Sequence, residues 1–369
     1  MKLHLFIPAI ILLLFTVTPI SAHFFSNITS IPSSLIPNTT LWDGFNQFLG
    51  SHKGQKVNGL AKLKKYFQRF GYINSSSSEN FTDDFDEILE SAVKLYQINF
   101  NLKSTGELDV QTLKNIVLPR CGNPDIVNGT STMNSGKRSS YSTNSTIHTV
   151  AHYSFFPGKP SWPASKTELT YSFLPENQLS ENVRSLFGRA FERWSEVMSL
   201  TFTETSSFDK ADIKIGFFSG DHGDGEAFDG VLGTLGHAFS PPLGLFHLDG
   251  DENWVTDGDF INASPLSAVD LESVAVHEIG HILGLGHSSD KEAIMYPTIS
   301  SGTRKVELAN DDIMGIQELY GSNTNYNETN PVLTPRNESE VNGAHNLVCS
   351  FWSHGILLAI GLSLFLLVL

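Results

Sequence analysis

The sequence predicts an α/β layer domain preceded by a small three-helix domain, and three observations carry that reading. Strand-like alternation and helix-like periodicity succeed one another between residues 151 and 321. The stretch His277 to His287, His-Glu-Ile-Gly-His-Ile-Leu-Gly-Leu-Gly-His, sets two imidazoles at i and i+4 on one helix face and a third beyond a glycine. Upstream, residues 58–121 carry apolar residues at helical spacing in three short runs.

From the N-terminus, residues 1–22 combine Lys2, an apolar run from Leu5 to Val17 and Ser21-Ala22 before a polar stretch, which reads as a secretory signal peptide. Residues 23–57 lead into the helical domain. There Leu60, Leu63, Tyr66, Phe67 and Phe70 recur before a break at Gly71, and Phe85, Ile88, Leu89, Ala92, Val93, Tyr96 and Phe100 repeat the pattern. Thr105 to Asp109 forms a turn into a third helix ending near Val117. Residues 126–150 are expected to be a linker. Asn128 to Asn144 is Ser, Thr, Asn and Gly with almost no apolar residue, hence exposed and suited to proteolysis. In the layer domain, 151–321, Leu169 to Phe173 alternates as a strand, and Ala211 to Phe218 is another. Val183, Leu186, Phe187, Ala190, Trp194 and Val197 mark a long helix after Ser180. Leu271 to Ile282 is a helix with Val274, Val276, Ile279 and Ile282 on its buried side and its polar ligands on the other. The last helix runs from Asp311 to Tyr320, with Asn310 as cap and Gly321 as stop, and residues 322–342 form a polar stalk.

The chemistry sits in two histidine clusters. His277 and His281 can grip one zinc, and Gly284 allows the left-handed helix end that brings His287 back to complete a three-nitrogen set. Three protein ligands leave a fourth position open to water, which separates a catalytic zinc from a structural one, and Glu278 is placed to work as the general base. The second cluster, His222, Asp224, His237 and His247, is a closed four-ligand set. Interleaved with it, Asp229-Gly230 and Asp249 to Glu252 are hard oxygen donors in a glycine-rich loop suited to calcium.

These residues resemble the metzincin signature HExxHxxGxxH, with Met295 in Ala-Ile-Met-Tyr-Pro fitting the methionine turn and Ser288 typical of the matrixin branch, the matrix metalloproteinases. The resemblance implies a twisted five-stranded mixed sheet with three helices split by a substrate cleft. It also implies a zinc endopeptidase with Glu278 catalytic, Met295 as a floor under the imidazoles and Pro297 opening the wall of the S1′ pocket. Ser273 resembles the residue at the pocket base, and its small side chain implies a deep pocket preferring a large apolar residue. His222, Asp224, His237 and His247 match the structural zinc site. The calcium ligands are then Asp229, Asp249 and Glu252, with the carbonyls of Gly230, Leu232 and Thr234. In relatives a glycine-rich insertion, with an aspartate like Asp212, holds a further calcium, and the stretch between His237 and His247 lacks that insertion. Pro119 to Asp125, Pro-Arg-Cys-Gly-Asn-Pro-Asp, resembles the matrixin cysteine switch, with Asn123 where an aliphatic residue is common. By that resemblance Cys121 occupies the open zinc position in a latent form and Arg120 pairs with Asp125. The three-helix pattern resembles matrixin propeptides and the related peptidoglycan-binding-like fold, and cleavage between Ser145 and Tyr153 removes it, by self-cleavage rather than at Lys137-Arg138.

The formal net charge of −15 comes without a basic patch, which argues against nucleic acid. Only two cysteines occur, Cys121 and Cys349, too few for a disulfide framework. Sequons at Asn27, Asn38, Asn74, Asn80, Asn128, Asn144, Asn327 and Asn337 agree with passage through the secretory pathway, while Pro265 makes the ninth, at Asn262, a poor acceptor. Small residues from Asn342 to Ala344, a short spacer and the apolar tail Gly355 to Leu369 have the layout of a GPI-attachment signal, residues 343–369, with Asn342 or Gly343 as attachment site. The expected protein is a monomer on the extracellular face of the plasma membrane, with extracellular proteins or peptides as substrates and zinc and calcium as its ions.

Overall fold

The computed structural model describes residues 45–74, 80–134, 137–138, 150–260 and 267–326. The signal peptide, the sequons at Asn27, Asn38, Asn144, Asn262, Asn327 and Asn337, and the whole GPI signal with Asn342 lie outside them. Three α-helices form the first domain among the described residues: α1 Leu60–Arg69, α2 Glu87–Asn99 and α3 Val110–Ile116. Asp86 and Asp109 cap the last two by accepting the Leu89 and Thr112 N–H groups. Their core holds Leu63, Phe67, Leu89, Val93, Tyr96 and Phe100, together with Phe45 and Phe48 from ahead of residue 58.

The next elements are short strands: β1 Arg120–Cys121, β2 Ile126–Val127, β3 Thr130–Ser131, β4 Met133–Asn134, β5 Lys137–Arg138 and β6 Val150–Ala151. The exposure expected of the polar stretch from Asn128 fails at two residues. Thr132 and Met133 are buried, Met133 lies in the helical domain's core, and β4 pairs with a strand at His287. One sulfur-bearing side chain in a polar run suffices to dock it.

The layer domain follows as β7 Glu168–Phe173, α4 Glu181–Val197, β8 Thr201–Glu204, β9 Ile213–Phe218, β10 Thr234–Ala238, β11 Leu245–Asp249, β12 Asn253–Val255, β13 Ala268–Asp270, α5 Leu271–Ile282, β14 His287–Ser288 and α6 Asn310–Tyr320. The principal sheet runs β1-β10-β11-β9-β7-β8. Five strands are the expected mixed sheet, with β10 antiparallel to β11 and the others parallel. The sixth, β1, comes from the Cys121 segment and pairs parallel to the β10 edge. An edge strand with unpaired N–H and C=O groups invites such addition.

Ser180 caps α4, as its position before the periodic run implies. For α6 the cap moves back by one: Asn310 is inside the helix, Ala309 is the N-cap residue, and Asp312 accepts the Ala309 N–H at 2.8 Å. Helix α5 has no exposed side, since all twelve residues are buried. It lies in the middle of the layer domain, packed against α4 and the sheet, so its ligand face is buried against β1 and β10 rather than against water.

Candidate active site

Helix α5 supplies His277, Glu278 and His281 at the spacing one helical face demands. Past Leu283 the chain turns at Gly284 with φ 105°, where a Cβ would collide with the Pro160 carbonyl oxygen, so only glycine allows the bend that returns His287. Gly280, between the two helical ligands, leaves room for the Met295 sulfur, which packs directly on it. Met295 is fully buried, and the turn around it is held by Asp312, which accepts the N–H groups of Ile294 and Met295 at 2.8 and 3.0 Å. Burial raises the Asp312 carboxyl to about 7.

One nitrogen of each imidazole, together with Cys121 Sγ, converges within 4.8 Å of the others. His277 Nδ1 donates to the Ile294 carbonyl at 2.7 Å and His281 Nδ1 to the Leu285 carbonyl at 2.8 Å. Because carbonyls only accept, both Nε2 atoms are bare lone pairs, and they face each other at 3.1 Å. His287 Nδ1 donates to Asp125 Oδ1 at 2.8 Å, and its Nε2 is buried without a partner. Burial pushes all three imidazoles down, His277 to about 3, so they stay neutral and ready to ligate. Cys121 Sγ stands 3.4 Å from His281 Nε2. Edges of this length suit a tetrahedron around an ion with bonds of about 2.0–2.3 Å. Facing lone pairs repel unless a cation lies between them, so these residues fit zinc. Glu278 is fully buried against Cys121, and burial raises its carboxyl to about 8.

The segment carrying Cys121 is fastened on both sides of the cleft. Arg120 N–H and Gly122 N–H donate to the carbonyls of Gly233 and Gly236, while Cys121 N–H donates to Pro297 and Ile299 N–H to Pro119. Asn123 replaces the usual aliphatic residue with a carboxamide that donates to the Ala238 carbonyl at 2.7 Å and accepts the Ala238 N–H at 2.9 Å. The sequence marks Asn123 as a departure, and this two-sided pairing with β10 is a role it does not disclose. Arg120 is buried, its guanidinium 3.5 Å over the Phe70 ring, and donates to Tyr66 Oη and to Asp125 Oδ1 at 2.8 Å. Tyr72 donates to Asp125 Oδ2 at 2.8 Å. The Arg120 guanidinium and His287 hold the buried Asp125 carboxyl below its usual range against the opposing effect of burial.

A pocket beside the Cys121 segment is lined by Leu235, Ser273, Val274, Tyr296, Pro297 and Lys305, among others. Ser273 is buried there, its hydroxyl donating to Asp270 Oδ1 and accepting the Lys305 N–H, both at 2.7 Å.

The second cluster converges on one carboxylate oxygen. Asp224 Oδ2 lies 2.8, 2.7 and 2.8 Å from His222 Nε2, His237 Nε2 and His247 Nδ1. His222 Nδ1 donates to the Gly220 carbonyl, so Nε2 is the atom turned to Asp224, and three imidazole nitrogens around one carboxylate oxygen are a donor set that fits a cation. Burial depresses His237, to about 4, and His247, while Asp224 is held well below its usual range despite burial, by the Glu226 N–H and the imidazoles. Nearby, Asp229, Asp249 and Glu252 form no ion pair among the described residues, and burial raises all three, with Glu252 reaching about 8. Leu232, between them in sequence, takes φ 61°, a left-handed conformation that costs about 1–2 kcal/mol outside glycine. The Asp212 carboxylate takes the Lys166 ammonium and the Thr170 N–H and hydroxyl.

The matrixin peptidase model matches residues 161–321, and a putative peptidoglycan binding domain model matches 56–116. The chain is 59% identical to metalloendoproteinase 2-MMP of Arabidopsis thaliana over 334 residues, 89% of this chain and 88% of that one. It is 48% identical to metalloendoproteinase 1 of Glycine max over 80% of this chain and 93% of the relative, and 35% identical to human matrilysin over 73% and 91%. With the sheet, the histidine set and these likenesses in agreement, the chain belongs to the matrixins, zinc metalloendopeptidases, beside the plant metalloendoproteinases.

Proposed function

We propose that the protein is a latent, exported endopeptidase in which His277, His281 and His287 hold the catalytic zinc, Cys121 blocks its open position, and Glu278 is the general base. The observation that carries this is the set of facing Nε2 lone pairs beside the Cys121 sulfur. When bound, zinc supplies the Lewis acid that polarises the scissile carbonyl and acidifies the attacking water. Glu278 takes the proton from that water and returns it to the leaving amine; a carboxyl raised by its apolar surroundings is suited to both tasks. The helical domain is the propeptide. Its segment 119–123 uses the carbonyls of Gly233, Gly236 and Pro297 and the two backbone groups of Ala238, which become available to a substrate strand once the propeptide leaves. The pocket at Ser273 and Pro297 then receives the side chain after the scissile bond, an apolar one by its Leu235, Val274 and Ile294 lining.

His222, Asp224, His237 and His247 hold a second, structural zinc, and Asp229, Asp249 and Glu252 with the carbonyls of Gly230, Leu232 and Thr234 hold calcium. Among the described residues no helix is long and apolar enough to cross a membrane. Export and attachment through a GPI anchor at Asn342 or Gly343 rest on the terminal sequence patterns, and Asn74, Asn80 and Asn128 are exposed as glycan acceptors must be.

The test is hydrolysis of a quenched peptide library by the full chain before and after mercurial or protease activation. Activity that appears on activation and is removed by a zinc chelator is expected; zinc binding with no cleavage by the activated protein overturns the reading.

Calcium makes a separate prediction. Three uncompensated carboxylates repel one another in the calcium-free fold, so calcium at a hundred times its dissociation constant should stabilise by about 2.7 kcal/mol. The carboxyls must be ionised to hold it, so the gain should shrink as pH falls from about 8, where Glu252 begins to protonate. Over the same range the calcium-free fold gains stability, because its raised carboxyls bind protons that the unfolded chain does not. Thermal midpoints at pH 8 and 6, with calcium or a calcium-selective chelator, check this; midpoints indifferent to calcium at pH 8 count against the assigned ligands.

A further inference from the structure

The irregular loop that forms the outer wall of the pocket is bolted to the first turn of α5. Pro297, Thr298, Ile299 and Lys305 of this loop line the pocket. Its far side is held by four tethers. Gly302 N–H donates to the Ala268 carbonyl at 2.9 Å, and Lys305 N–H donates to Ser273 Oγ at 2.7 Å. The Lys305 ammonium donates to the carbonyls of Lys291 and Ala293 at 2.6 and 2.5 Å. The Arg304 guanidinium spans both oxygens of Asp270, at 3.2 and 2.9 Å, and reaches Glu272 at 2.7 Å. Asp270 and Glu272 are both fully buried. Such forked contacts to two buried anions are stiff, because each N–H has a fixed direction and neither anion has water to turn to.

Asp270 joins the tether to the pocket base. The oxygen that Arg304 grips also accepts from the Ser273 N–H and hydroxyl, and that hydroxyl accepts the Lys305 N–H. Loop, pocket base and helix start are therefore one hydrogen-bonded unit, and Ser273 and Lys305, which it joins, both line the pocket. We propose that Arg304 is the positioning residue that sets the depth of this pocket, and thus the longest side chain accepted after the scissile bond; this rests on the reading of the pocket as the P1′ site.

The two anions differ in what they keep when Arg304 is lost. Glu272 keeps Arg189 and Arg193 of α4, at 3.0 and 3.1 Å, whereas Asp270 loses its one ion-pair partner and keeps two hydrogen bonds from Ser273. The cost of that unpaired carboxylate falls on the fold and so on both peptides alike, and Arg304→Lys, which keeps the charge, separates it from an effect on the pocket. Arg304 itself lines no part of the pocket and touches no ligand of the histidine cluster. Without it, residues 302–305 can draw back from Ser273 and lengthen the pocket.

The experiment compares activated full-length protein carrying Arg304→Ala, Arg304→Lys or no change on peptides that differ only at P1′, with leucine or with the longer biphenylalanine. For Arg304→Ala the ratio of kcat/KM for biphenylalanine over leucine should rise about tenfold, the worth of modest extra room in an apolar pocket. The change should lie in KM for the long substrate, with kcat for the leucine peptide kept. Arg304→Lys, which restores the charge without the fork, should fall between the two. An unchanged ratio in Arg304→Ala, or an equal loss on both peptides, overturns the proposal. Inactivity of the unaltered protein on every peptide is a different failure, that of the endopeptidase reading itself.

Discussion

Glu278→Ala is expected to leave a folded protein that still binds zinc and still loses its propeptide to an added protease, yet hydrolyses peptides about a hundred- to ten-thousandfold more slowly. The three ligand imidazoles are oriented without it: His277 and His281 through the Ile294 and Leu285 carbonyls, His287 through Asp125. Metal affinity should therefore survive. Stability should survive too, since Glu278 is a fully buried carboxyl, raised to about 8, whose removal relieves a desolvation cost. What disappears is the group that takes the proton from water and delivers it to the amine. Zinc content, thermal midpoint and turnover of a quenched peptide, measured together, separate these effects. A variant that keeps its zinc and keeps within a few-fold of full activity would remove Glu278 from the mechanism.

The ligand helix was fully legible in the sequence because its information is local. Leu271 to Ile282 is predicted and observed with the same ends, since the i, i+4 spacing, the apolar residues and a terminating glycine all lie within a few turns. Strands β10 and β11 were not read, although they carry His237 and His247, because metal ligands and glycines interrupt their alternation. Long-range partners were harder still. Nothing in the spacing says that backbone carbonyls of Ile294 and Leu285 fix two ligand rings, since a carbonyl has no sequence identity. The motif suggests Arg120 with Asp125, yet the same aspartate also orients His287 and takes a hydrogen bond from Tyr72, contacts 162 and 53 residues away in the chain. Composition misled at residues 128–134, where a polar run hides buried Thr132 and Met133. Asn123 offered a usable signal, because a carboxamide where an aliphatic residue is usual implies a hydrogen-bonded partner once buried.

Latency should be lost in two distinguishable ways. Cys121→Ser removes the sulfur ligand but leaves the backbone bonds to Gly233, Gly236 and Pro297 and the Asn123 pair with Ala238 intact, so the cleft stays covered. Unprocessed Cys121→Ser should show partial activity. Asp125→Ala strikes the anchor instead. It strands Arg120, buried over Phe70 with its charge unpaired, a defect worth about 3–5 kcal/mol. It also deprives Tyr72 and His287 of their shared acceptor. The cheapest relief is to release segment 119–125 and let the guanidinium reach water, which frees the sulfur's position and the cleft together. Unprocessed Asp125→Ala should therefore approach the activity of the fully activated protein and exceed Cys121→Ser. Its loss of the Asp125 contact to His287 should lower zinc affinity by no more than about 10–100-fold, because the other two rings keep their orienting carbonyls. Initial rates of both variants at saturating zinc, before any cleavage appears on a gel, decide the matter. If Asp125→Ala stays below a tenth of the activated rate while Cys121→Ser is active, the buried Arg120–Asp125 pair does not hold the propeptide in place.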